Sequence, residues 1–484
     1  MKRLREVVVV EAVRTPTGKS GWAGMEKGGV FSGVSSQYLL AVALRGLVEK
    51  VKKRCSAFDE REIEDVAVGC LSQIGEQGLN LGRLGVIAAD LPLETAGWTV
   101  NRYCNAGLQA INSQAQALMT GCGEIAIAAG VELMSRYPIG SDLEAALKAD
   151  FPVSFHPRVE ERGALQVMGV CAELVAEKYG LTREDQDLFA LWSHQKAVKA
   201  MREKEWYEKR VIPVEVERGG EKIRVEKDEP PRAISLDDPA TAYERLKALP
   251  PRFKENGTVT AGNSSAIADG AAAVMLMTLE KADELGLKPL AKIKSMAVAG
   301  DDPVSMLLGP IPAMRKALAR AGLRMEEVEV WEPNEAFASP VLAFCKEFGV
   351  PFDDPRINPT GGAIAIGHPI GCSGVLYFTE MVHWMARHRL KYGITNHVRG
   401  RRGGNSNGSG GDVVQILFIL TRWVAQEIQG SYALAIISRV LSSSFGFFTS
   451  LGAATLKSLS TLAAFMAVGV ITSAHTTLPL ASNL

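Results

Sequence analysis

The sequence predicts an α/β fold. Three observations lead to this prediction: β-branched segments alternate with helical ones, two distant stretches resemble each other, and a long polar insertion separates them. The alternation of strands and helices is typical of crossover units on a largely parallel sheet.

The alternating segments can be placed in order along the chain. Strand-like segments begin at residues 5, 64, 124 and 291 with REVVVVEAV, EDVAVGCL, EIAIAAGVELM and AKIKSMAVAG. Helix-like segments begin at residues 36, 107 and 310 with SQYLLAVALRGLVEKV, GLQAINSQAQALMTG and PIPAMRKALARAG. The run of valines near the start is typical of a buried first strand.

Two stretches of the chain follow the same order of elements. EIEDVAVGCL, TVNRYCNAGLQAINSQAQALMTG and EIAIAAG resemble EEVEVWEPNEAF, INPTGGAIAIGHPIGCSGVLYFTEMVHWM and YGIT. In both stretches a cysteine followed within three residues by glycine opens a long helix. This pattern indicates either a duplicated half-domain, whose helix starts at Cys104 and Cys372 face each other, or two halves that share only the general pattern of doubly wound folds.

A polar, proline-containing insertion lies between these stretches. It includes a helical piece, AELVAEKYGLTREDQDLFALWSHQKAVKAM, followed by the Lys/Glu-rich VERGGEKIRVEKDEPPR. Because it is too long for a bare loop, we predict a subdomain over an active face. The predicted domains are an N-terminal half at 1–132 plus 255–282, an inserted loop domain at 133–254, a C-terminal half at 283–395, a Gly/Arg/Ser-rich linker at 396–415 and an apolar tail at 416–484.

Charge and cysteine content exclude several classes of protein. The 484 residues carry 54 basic and 54 acidic side chains, which argues against a nucleic-acid surface. The seven cysteines lack metal-ligand spacing, so we predict reduced thiols, no metal site and a cytoplasmic location. The start, MKRLREVVVVEAV, lacks the apolar core of a signal peptide. We therefore expect a small molecule or another protein chain as the partner.

Cys104, in NRYCNAGLQAI, is a candidate nucleophile. It lies at a predicted helix N-terminus, where unpaired N–H groups and the helix dipole favour a thiolate. The alternative is a small buried cysteine with a packing role only.

Two further stretches carry polar side chains suited to catalysis. His368 follows a glycine-rich turn in NPTGGAIAIGHPIGCSG, and is either an imidazole exposed to a ligand or a hydrogen-bonded turn residue. Asn334 and Glu335, in WEPNEAFA, follow a strand at the edge where α/β sheets bind ligands, or else they cap a helix.

Together these motifs resemble the thiolases, which are the acyl-CoA acetyltransferases and 3-ketoacyl-CoA thiolases. The resemblance runs from VVVVEAVRTPTGKSG to about Thr395 and includes NRYCNAGLQA, GTVTAGNSSAIADGAAA, NEAFA and INPTGGAIAIGHPIGCSG in the family's order. It implies a five-layer α/β/α/β/α sandwich of two similar halves with a loop domain over the site. By this match Cys104 would be acylated, His368 would activate it and help bind the thioester oxygen, and Asn334 would hold a water of that oxyanion hole.

The resemblance also implies that CoA is a substrate, that no other cofactor is needed, and that the protein is a homodimer or homotetramer. Val167 replaces a histidine that some members carry. The positions that match CoA-binding residues are Met168, Ala261, Gly262 and Ser265 along the pantetheine, Phe253 beside the adenine and Arg232 near the phosphates. For each of these positions the alternative is a structural role only, since glycine and serine are common in turns.

The chain departs from the family near its C-terminus. Thiolases carry a second cysteine in a Cys-Xaa-Gly-Gly-Gly turn, which exchanges a proton with the substrate α-carbon or the incoming CoA sulfur. The internal repeat places this position near 398, where the chain has NHVRGRRG, and no cysteine follows Cys372. Cys372 itself matches no proton-transfer position.

A slip of the reading frame is one explanation. Codons for Asn-His-Val-Arg-Gly, read one nucleotide late, can spell Thr-Met-Cys-Gly-Gly, which a thiolase should have at 396–400. Everything from Asn396 onward would then not belong to the fold. The alternative is a flexible linker with a genuine membrane anchor, whose uncharged runs are interrupted by Arg439 and Lys457.

The sequence thus predicts a thiolase that cleaves 3-ketoacyl-CoA with CoA to acetyl-CoA and a shortened acyl-CoA, or runs the reverse condensation. Loss of the second cysteine should impair turnover. The alternative is a non-catalytic acyl-CoA-binding or scaffold protein of the same fold. We expect no nucleic-acid partner, and no membrane association unless the apolar tail is genuine.

Overall fold

The computed structural model describes residues 4–20, 28–152, 157, 161, 167–300 and 306–395, and the backbone of 398–400 and 414–416. The chain divides into two units, Met1–Gly430 and Ser431–Leu484, each of which makes most of its contacts within itself. The side chains at 396–400, where the frame slip is predicted, and nearly all of the predicted linker and apolar tail lie outside the described residues. The frame slip, the membrane anchor and the domain boundaries therefore stay predictions.

The described strands and helices are numbered in chain order. The strands are β1 (Val7–Arg14), β2 (Gly18–Lys19), β3 (Asp65–Gly69), β4 (Ala96–Val100), β5 (Ile125–Leu133), β6 (Val214–Arg218), β7 (Glu221–Val225), β8 (Ala268–Thr278), β9 (Ala291–Lys292), β10 (Val330–Glu332), β11 (Gly393–Thr395), β12 (Val398–Gly400) and β13 (Val414–Ile416). The helices are α1 (Ser36–Arg54), α2 (Leu81–Ala88), α3 (Ala106–Thr120), α4 (Ser141–Lys148), α5 (Met168–Tyr179), α6 (Arg183–Arg202), α7 (Lys204–Glu208), α8 (Ile234–Asp237), α9 (Pro239–Lys247), α10 (Leu279–Glu284), α11 (Pro310–Ala321), α12 (Ala338–Phe348) and α13 (Ile370–His388).

The first sheet has the strand order β4-β3-β5-β8-β1-β9, with β2 paired to β8. β3 runs parallel to β4 and β5, but β8 runs antiparallel to both β5 and β1. The prediction of a largely parallel sheet is therefore wrong for this half. β8 returns from the loop domain and enters the sheet in the opposite direction, and its sequence, ADGAAAVMLMT, is too rich in alanine to give a strand signal.

Helices cover both faces of this sheet. Val8 and Val10 of β1 belong to the hydrophobic core that includes the buried residues of α1, whereas Val7 and Val9 pack in the core with α3 and α13. This alternation follows from the two-residue period of a strand. A β-branched run buried on both faces therefore forms a central strand between two helical layers.

The C-terminal half repeats this arrangement. β10 pairs in parallel with β11, as β3 does with β5 in the first half. Trp331 of β10 makes a parallel bridge to Ile357, which corresponds to the parallel pairing of β3 with β4. Trp331 packs in a further core with α11 and α12 on the far side of this second sheet. The order is helices, sheet, helices, sheet, helices, so the predicted five-layer sandwich of two similar halves is confirmed.

The two helix starts that the repeat predicted to face each other do so. A Cβ on Gly107 of α3 would lie 2.8 Å from the Gly371 carbonyl oxygen, and one on Gly374 of α13 would lie 2.5 Å from the Leu108 nitrogen. Glycine at these positions lets the two backbones approach closely. The middle layer thus brings together the segments that carry Cys104 and His368.

The inserted loop domain contains more secondary structure than the sequence indicated. The predicted single helical piece is two helices, α5 and α6, because Gly180 ends the first in the left-handed region and Thr182 caps the second. The Lys/Glu-rich segment forms the β6–β7 hairpin, which turns at Gly219 and Gly220 with positive φ. Across the part of the chain that is described, no helix is both long and apolar enough to cross a membrane.

Candidate active site

Cys104 lies in a short 3-10 turn, Tyr103–Asn105, directly before α3. Tyr103 has φ 49°, in the left-handed region that costs a non-glycine residue energy. Its backbone nitrogen donates to Asn101 Oδ1 at 3.0 Å. The turn leaves Cys104 partly exposed at the end of the central helix layer.

His368 approaches Cys104 from the other half of the fold. Its Nε2 lies 3.1 Å from Cys104 Sγ, and its Nδ1 lies 2.7 Å from Ser373 Oγ. The Ser373 hydroxyl donates to the Pro369 carbonyl at 2.9 Å, so its oxygen accepts from Nδ1–H. The unprotonated Nε2 therefore faces the thiol, which is the arrangement a general base requires.

The position and charge of His368 are set by its surroundings. Its backbone nitrogen donates to the Ala266 carbonyl at 2.7 Å, and Tyr377 Oη donates to the carbonyl of the preceding Gly367. Burial lowers the pKa of His368 to about 4. The imidazole is therefore neutral at physiological pH and able to accept a proton.

The glycine-rich loop before His368 is organised by Glu335. The Glu335 carboxylate accepts from Ser193 Oγ at 2.7 Å, Asn358 Nδ2 at 2.6 Å and the Ile364 backbone nitrogen at 3.1 Å. A Cβ on Gly362 would lie 2.2 Å from the Glu335 carboxyl carbon, so glycine is needed there. Glu335 thus shapes the loop, and neither of the two sequence interpretations identified this role.

Asn334, the neighbour of Glu335, differs from it in having a free acceptor. Its Oδ1 is buried and has no hydrogen-bond partner among the described residues. A buried amide oxygen without a partner is costly unless a water or ligand satisfies it. This observation fits the expected role of Asn334 in holding a water.

A small pocket opens beside His368. His368 and Ser265 supply its polar side chains, and the rest of its wall is apolar. Of the residues expected to bind CoA, Met168 and Ser265 lie in this wall. The lining residues are Met134, Ile139, Met168, Ser265, Ile267, Ala336, Phe337, His368 and Ile370.

The other expected CoA-binding residues lie outside the lining of this pocket. The Phe253 ring packs on Gly169, and its centroid lies 6.1 Å from that of Phe337, which lines the pocket. Gly262 is buried near Leu246 and Leu249, and Ala261 is exposed.

Arg232 is an exposed residue of the loop domain whose backbone nitrogen donates to His194 Nδ1 at 3.3 Å. The roles expected for Arg232, Phe253, Ala261 and Gly262 therefore stay predictions.

Cys372 is unsuited to be the second proton-transfer group. It is fully buried, and burial raises the pKa of its thiol well above the usual value. A Cβ on Gly130 would lie 2.8 Å from the Cys372 Cα, so the residue is packed tightly against β5. The side chain at position 398, where the family has its second cysteine, lies outside the described residues.

Sequence reasoning missed several residues of the site. Ser373 orients the base, and the only signal for it was its position within the histidine motif, five residues after His368. Met134 and Ile139, at the start of the inserted domain, line the pocket. Their apolar side chains carried no sign of this role. No metal-binding group of three or more His, Cys, Asp or Glu side chains occurs within the described ranges.

Comparison with known proteins agrees with this geometry. Residues 7–280 match the family profile of the thiolase N-terminal domain, and residues 287–408 match that of the thiolase C-terminal domain. The chain belongs to the thiolase family. The prediction of a thiolase-family acyltransferase is thereby confirmed, and the residues after 408 lie outside both matches.

Individual thiolases match along most of their length. The chain is 41% identical over 394 residues to the 3-ketoacyl-CoA thiolase of Aliivibrio fischeri, covering 81% of this chain and 95% of that protein. It is 40% identical over 400 residues to the 3-ketoacyl-CoA thiolase of Bacillus subtilis, covering 81% and 95%. The crystal structure of the Bacillus anthracis acetyl-CoA acetyltransferase matches with a TM-score of 0.70 and 33% identity, covering 82% of this chain and 96% of that one.

Proposed function

We propose that this chain transfers acyl groups between CoA thioesters, cleaving 3-ketoacyl-CoA with CoA or running the reverse condensation through an acyl group on Cys104. The observation that carries the proposal is the 3.1 Å contact between Cys104 Sγ and His368 Nε2. A thiol beside a neutral, oriented imidazole is the arrangement of an activated nucleophile.

The first half-reaction uses this pair. Cys104 Sγ attacks the keto carbonyl carbon, and its proton passes to His368 Nε2. The carbon–carbon bond to the acetyl-CoA portion then breaks, and that portion leaves with the electron pair and takes up a proton. Negative charge develops on the carbonyl oxygen, where His368 and a water held by Asn334 would stabilise it.

The pocket beside His368 supports an acyl chain as the group transferred. Its wall is built from methionine, isoleucine and phenylalanine side chains, which fit an unsubstituted hydrocarbon chain better than a polar group. Ser265, in the same wall, supplies a hydroxyl that suits the amide groups of pantetheine.

We further propose that turnover is impaired at the proton transfer to or from the substrate α-carbon, which accompanies breaking or forming of the carbon–carbon bond. The family uses a second cysteine for the proton transfer to the α-carbon or from CoA, and this chain has none after Cys372. General acid–base help is worth about 10²- to 10⁴-fold in rate. Loading of Cys104 by acyl-CoA needs only His368, which takes the thiol proton and returns it to the departing CoA sulfur. Cys104 should therefore load, and turnover should then be slow.

The proposal takes acyl-CoA and CoA as substrates, requires no other cofactor, and places the protein in the cytoplasm. Its expected assembly is a homodimer or homotetramer. β4 ends the strand order of the first sheet, and an edge strand is a place where a second copy can pair.

Intact-mass analysis after incubation with acetyl-CoA tests the proposal. We expect one acyl group per chain and release of free CoA, with no adduct on Cys104→Ser, because a hydroxyl at this position is too weakly acidic for His368 to activate. An equal adduct on the variant would contradict the role of Cys104. Binding of acyl-CoA with no adduct on the unaltered chain would instead support the acyl-CoA-binding scaffold.

A further inference from the structure

One buried carboxylate, that of Glu132 at the end of β5, joins the two halves of the site. Its Oε2 accepts from the Leu71 nitrogen at 2.8 Å and from the Gly371 nitrogen at 2.9 Å. Its Oε1 accepts from the Ser72 nitrogen at 3.1 Å and from Gln77 Nε2 at 2.9 Å. Leu71 and Ser72 belong to the N-terminal half, whereas Gly371 is in the first turn of α13 in the C-terminal half.

The N-terminal side of this contact leads to the nucleophile. The Leu71 carbonyl accepts from Asn101 Nδ2 at 3.0 Å, and Asn101 Oδ1 accepts from the Tyr103 nitrogen at 3.0 Å. Tyr103 is the residue of positive φ directly before Cys104. Two hydrogen bonds therefore connect the segment held by Glu132 to the turn that positions the thiol.

The C-terminal side leads to the base. Gly371 lies between His368 and Ser373, the two residues of the imidazole–hydroxyl contact. A Cβ on Gly371 would lie 2.6 Å from the Cys70 Cα and 2.7 Å from Glu132 Oε2. The start of α13 is therefore pressed against the segment after β3, with the Glu132 carboxylate between them.

The site at Glu132 requires an ionised carboxylate. Each of its oxygens accepts two N–H donors. A proton on either oxygen, or a glutamine NH₂ group in place of either oxygen, would therefore point a hydrogen at an N–H donor. The Gln77 amide is fixed in orientation, because its Nε2 also donates to the Ser72 carbonyl and its Oε1 accepts from the Leu133 nitrogen. Replacement of Glu132 by glutamine thus leaves at least one buried donor unpaired.

We propose that Glu132 is a positioning residue that sets the distance between Cys104 and His368 by holding the two loops to one carboxylate. This inference rests on the proposed function, since it concerns the acylation of the same cysteine. Glu132 does not touch the reacting atoms, and its effect passes through Leu71 on one side and Gly371 on the other. A displacement of about 1 Å between nucleophile and base can cost about 10²-fold in rate.

Alkylation and acylation of the full chain test this proposal together. Iodoacetamide alkylation of Cys104, followed by peptide mass mapping, reports the Cys104–His368 geometry without any substrate, and the exposed Cys122 is an internal reference. Acylation by acetyl-CoA is measured in parallel, with the dissociation constant of CoA. The variants are Glu132→Gln and His368→Ala, with Glu11→Gln as the matched control, since Glu11 is also a buried carboxylate but pairs with Arg54.

In Glu132→Gln we expect both Cys104 reactions to slow by about 10-fold or more, toward the His368→Ala rates. Cys122 alkylation and CoA affinity should not change, and Glu11→Gln should react as the unaltered chain does. General destabilisation would weaken CoA binding as well, so a slower reaction of Cys104 with unchanged CoA affinity would not arise from it. Should Glu132→Gln fail to fold, Gln77→Met removes one donor to the carboxylate and should slow Cys104 alkylation several-fold.

The outcomes separate the two proposals. The positioning role would be overturned if Cys104 in folded Glu132→Gln were alkylated at the rate of the unaltered chain. If only Gln77→Met folds, the same result in that variant would overturn it. Failure of the unaltered chain to acylate, with alkylation still dependent on Glu132, would refute the proposed function and leave the positioning role supported.

Discussion

The Nδ1 atom of His368 lies 2.7 Å from the hydroxyl oxygen of Ser373, five residues further along the chain. The contact spans the start of α13, so the helix that carries the histidine at its entrance also supplies the group that orients it. Because the Ser373 proton is committed to the Pro369 carbonyl, the histidine must donate from Nδ1 and keep Nε2 free for Cys104.

Removing the hydroxyl should therefore slow acylation. In Ser373→Ala the buried Nδ1–H loses its acceptor, and the tautomer with the proton on Nε2 is no longer disfavoured. We expect acylation of Cys104 by acetyl-CoA to slow by about 10-fold, measured by quenched-flow intact mass. Ser339→Ala is the matched control, since this buried hydroxyl of α12 donates to the Ala172 carbonyl. Equal acylation rates for the two variants would argue against the orienting role.

The low pKa of His368 predicts a pH dependence of stability. Its pKa is about 4 in the folded chain, against about 6.5 for an exposed histidine. Between these values the unfolded chain binds a proton that the folded chain does not, so the free energy of unfolding decreases as the pH falls from about 6.5 to 4. The free energy of unfolding lost across this interval is about 3 kcal/mol.

Urea unfolding of the unaltered chain and of His368→Asn between pH 4 and pH 7 measures this contribution. The unaltered chain should lose more stability on acidification, because it alone carries His368. Other titrating groups such as His194 are common to both proteins and cancel in the comparison. Parallel pH profiles for the two proteins would mean that His368 titrates near its ordinary pKa.

The close approach of the two helix starts predicts a specific glycine requirement. In Gly371→Ala the new Cβ would lie 2.6 Å from the Cys70 Cα and 2.8 Å from the Leu71 nitrogen, both backbone atoms that cannot move independently. We expect a loss of about 1–3 kcal/mol in the free energy of unfolding. Gly33→Ala is the control, since no atom lies within 4 Å of the Cβ position there. A similar stability for both variants would contradict the tight packing at Gly371.

How much of this site the sequence predicts depends on whether a residue has a distinctive motif. Cys104 and His368 lie 264 positions apart, yet each stands in a motif that the family resemblance ties to a role, and the structure places them in contact. Glu132 has no such motif, because its importance arises from backbone donors that only the folded chain brings together. The antiparallel β8 was missed for a different reason, since packing against two neighbours overrides the weak strand propensity of alanine.

The final prediction concerns the missing second cysteine. The backbone of β12 pairs antiparallel with β11, so that Ile394 lies opposite Arg399, and position 398 follows β11 closely in the second sheet. If the reading frame slipped there, a variant combining Asn396→Thr, His397→Met, Val398→Cys and Arg399→Gly gives the Thr-Met-Cys-Gly-Gly that a thiolase should have at 396–400 and so returns the family's thiol. The matched control carries the same changes with Val398→Ala in place of Val398→Cys.

Steady-state thiolysis of acetoacetyl-CoA is measured beside the stoichiometry of Cys104 acylation. The unaltered chain should load Cys104 from acetyl-CoA and turn over slowly, and the repaired variant should be faster by up to about 10²- to 10⁴-fold, since the thiol returns acid–base help to the proton transfer at the α-carbon. The control should load as well as the repaired variant and remain slow, which assigns the gain to the thiol rather than to the glycine. Full turnover by the unaltered chain would disprove the predicted impairment. Because Cys372 is buried, the second proton transfer would then have to come from another group, and His397 would be the first residue to replace.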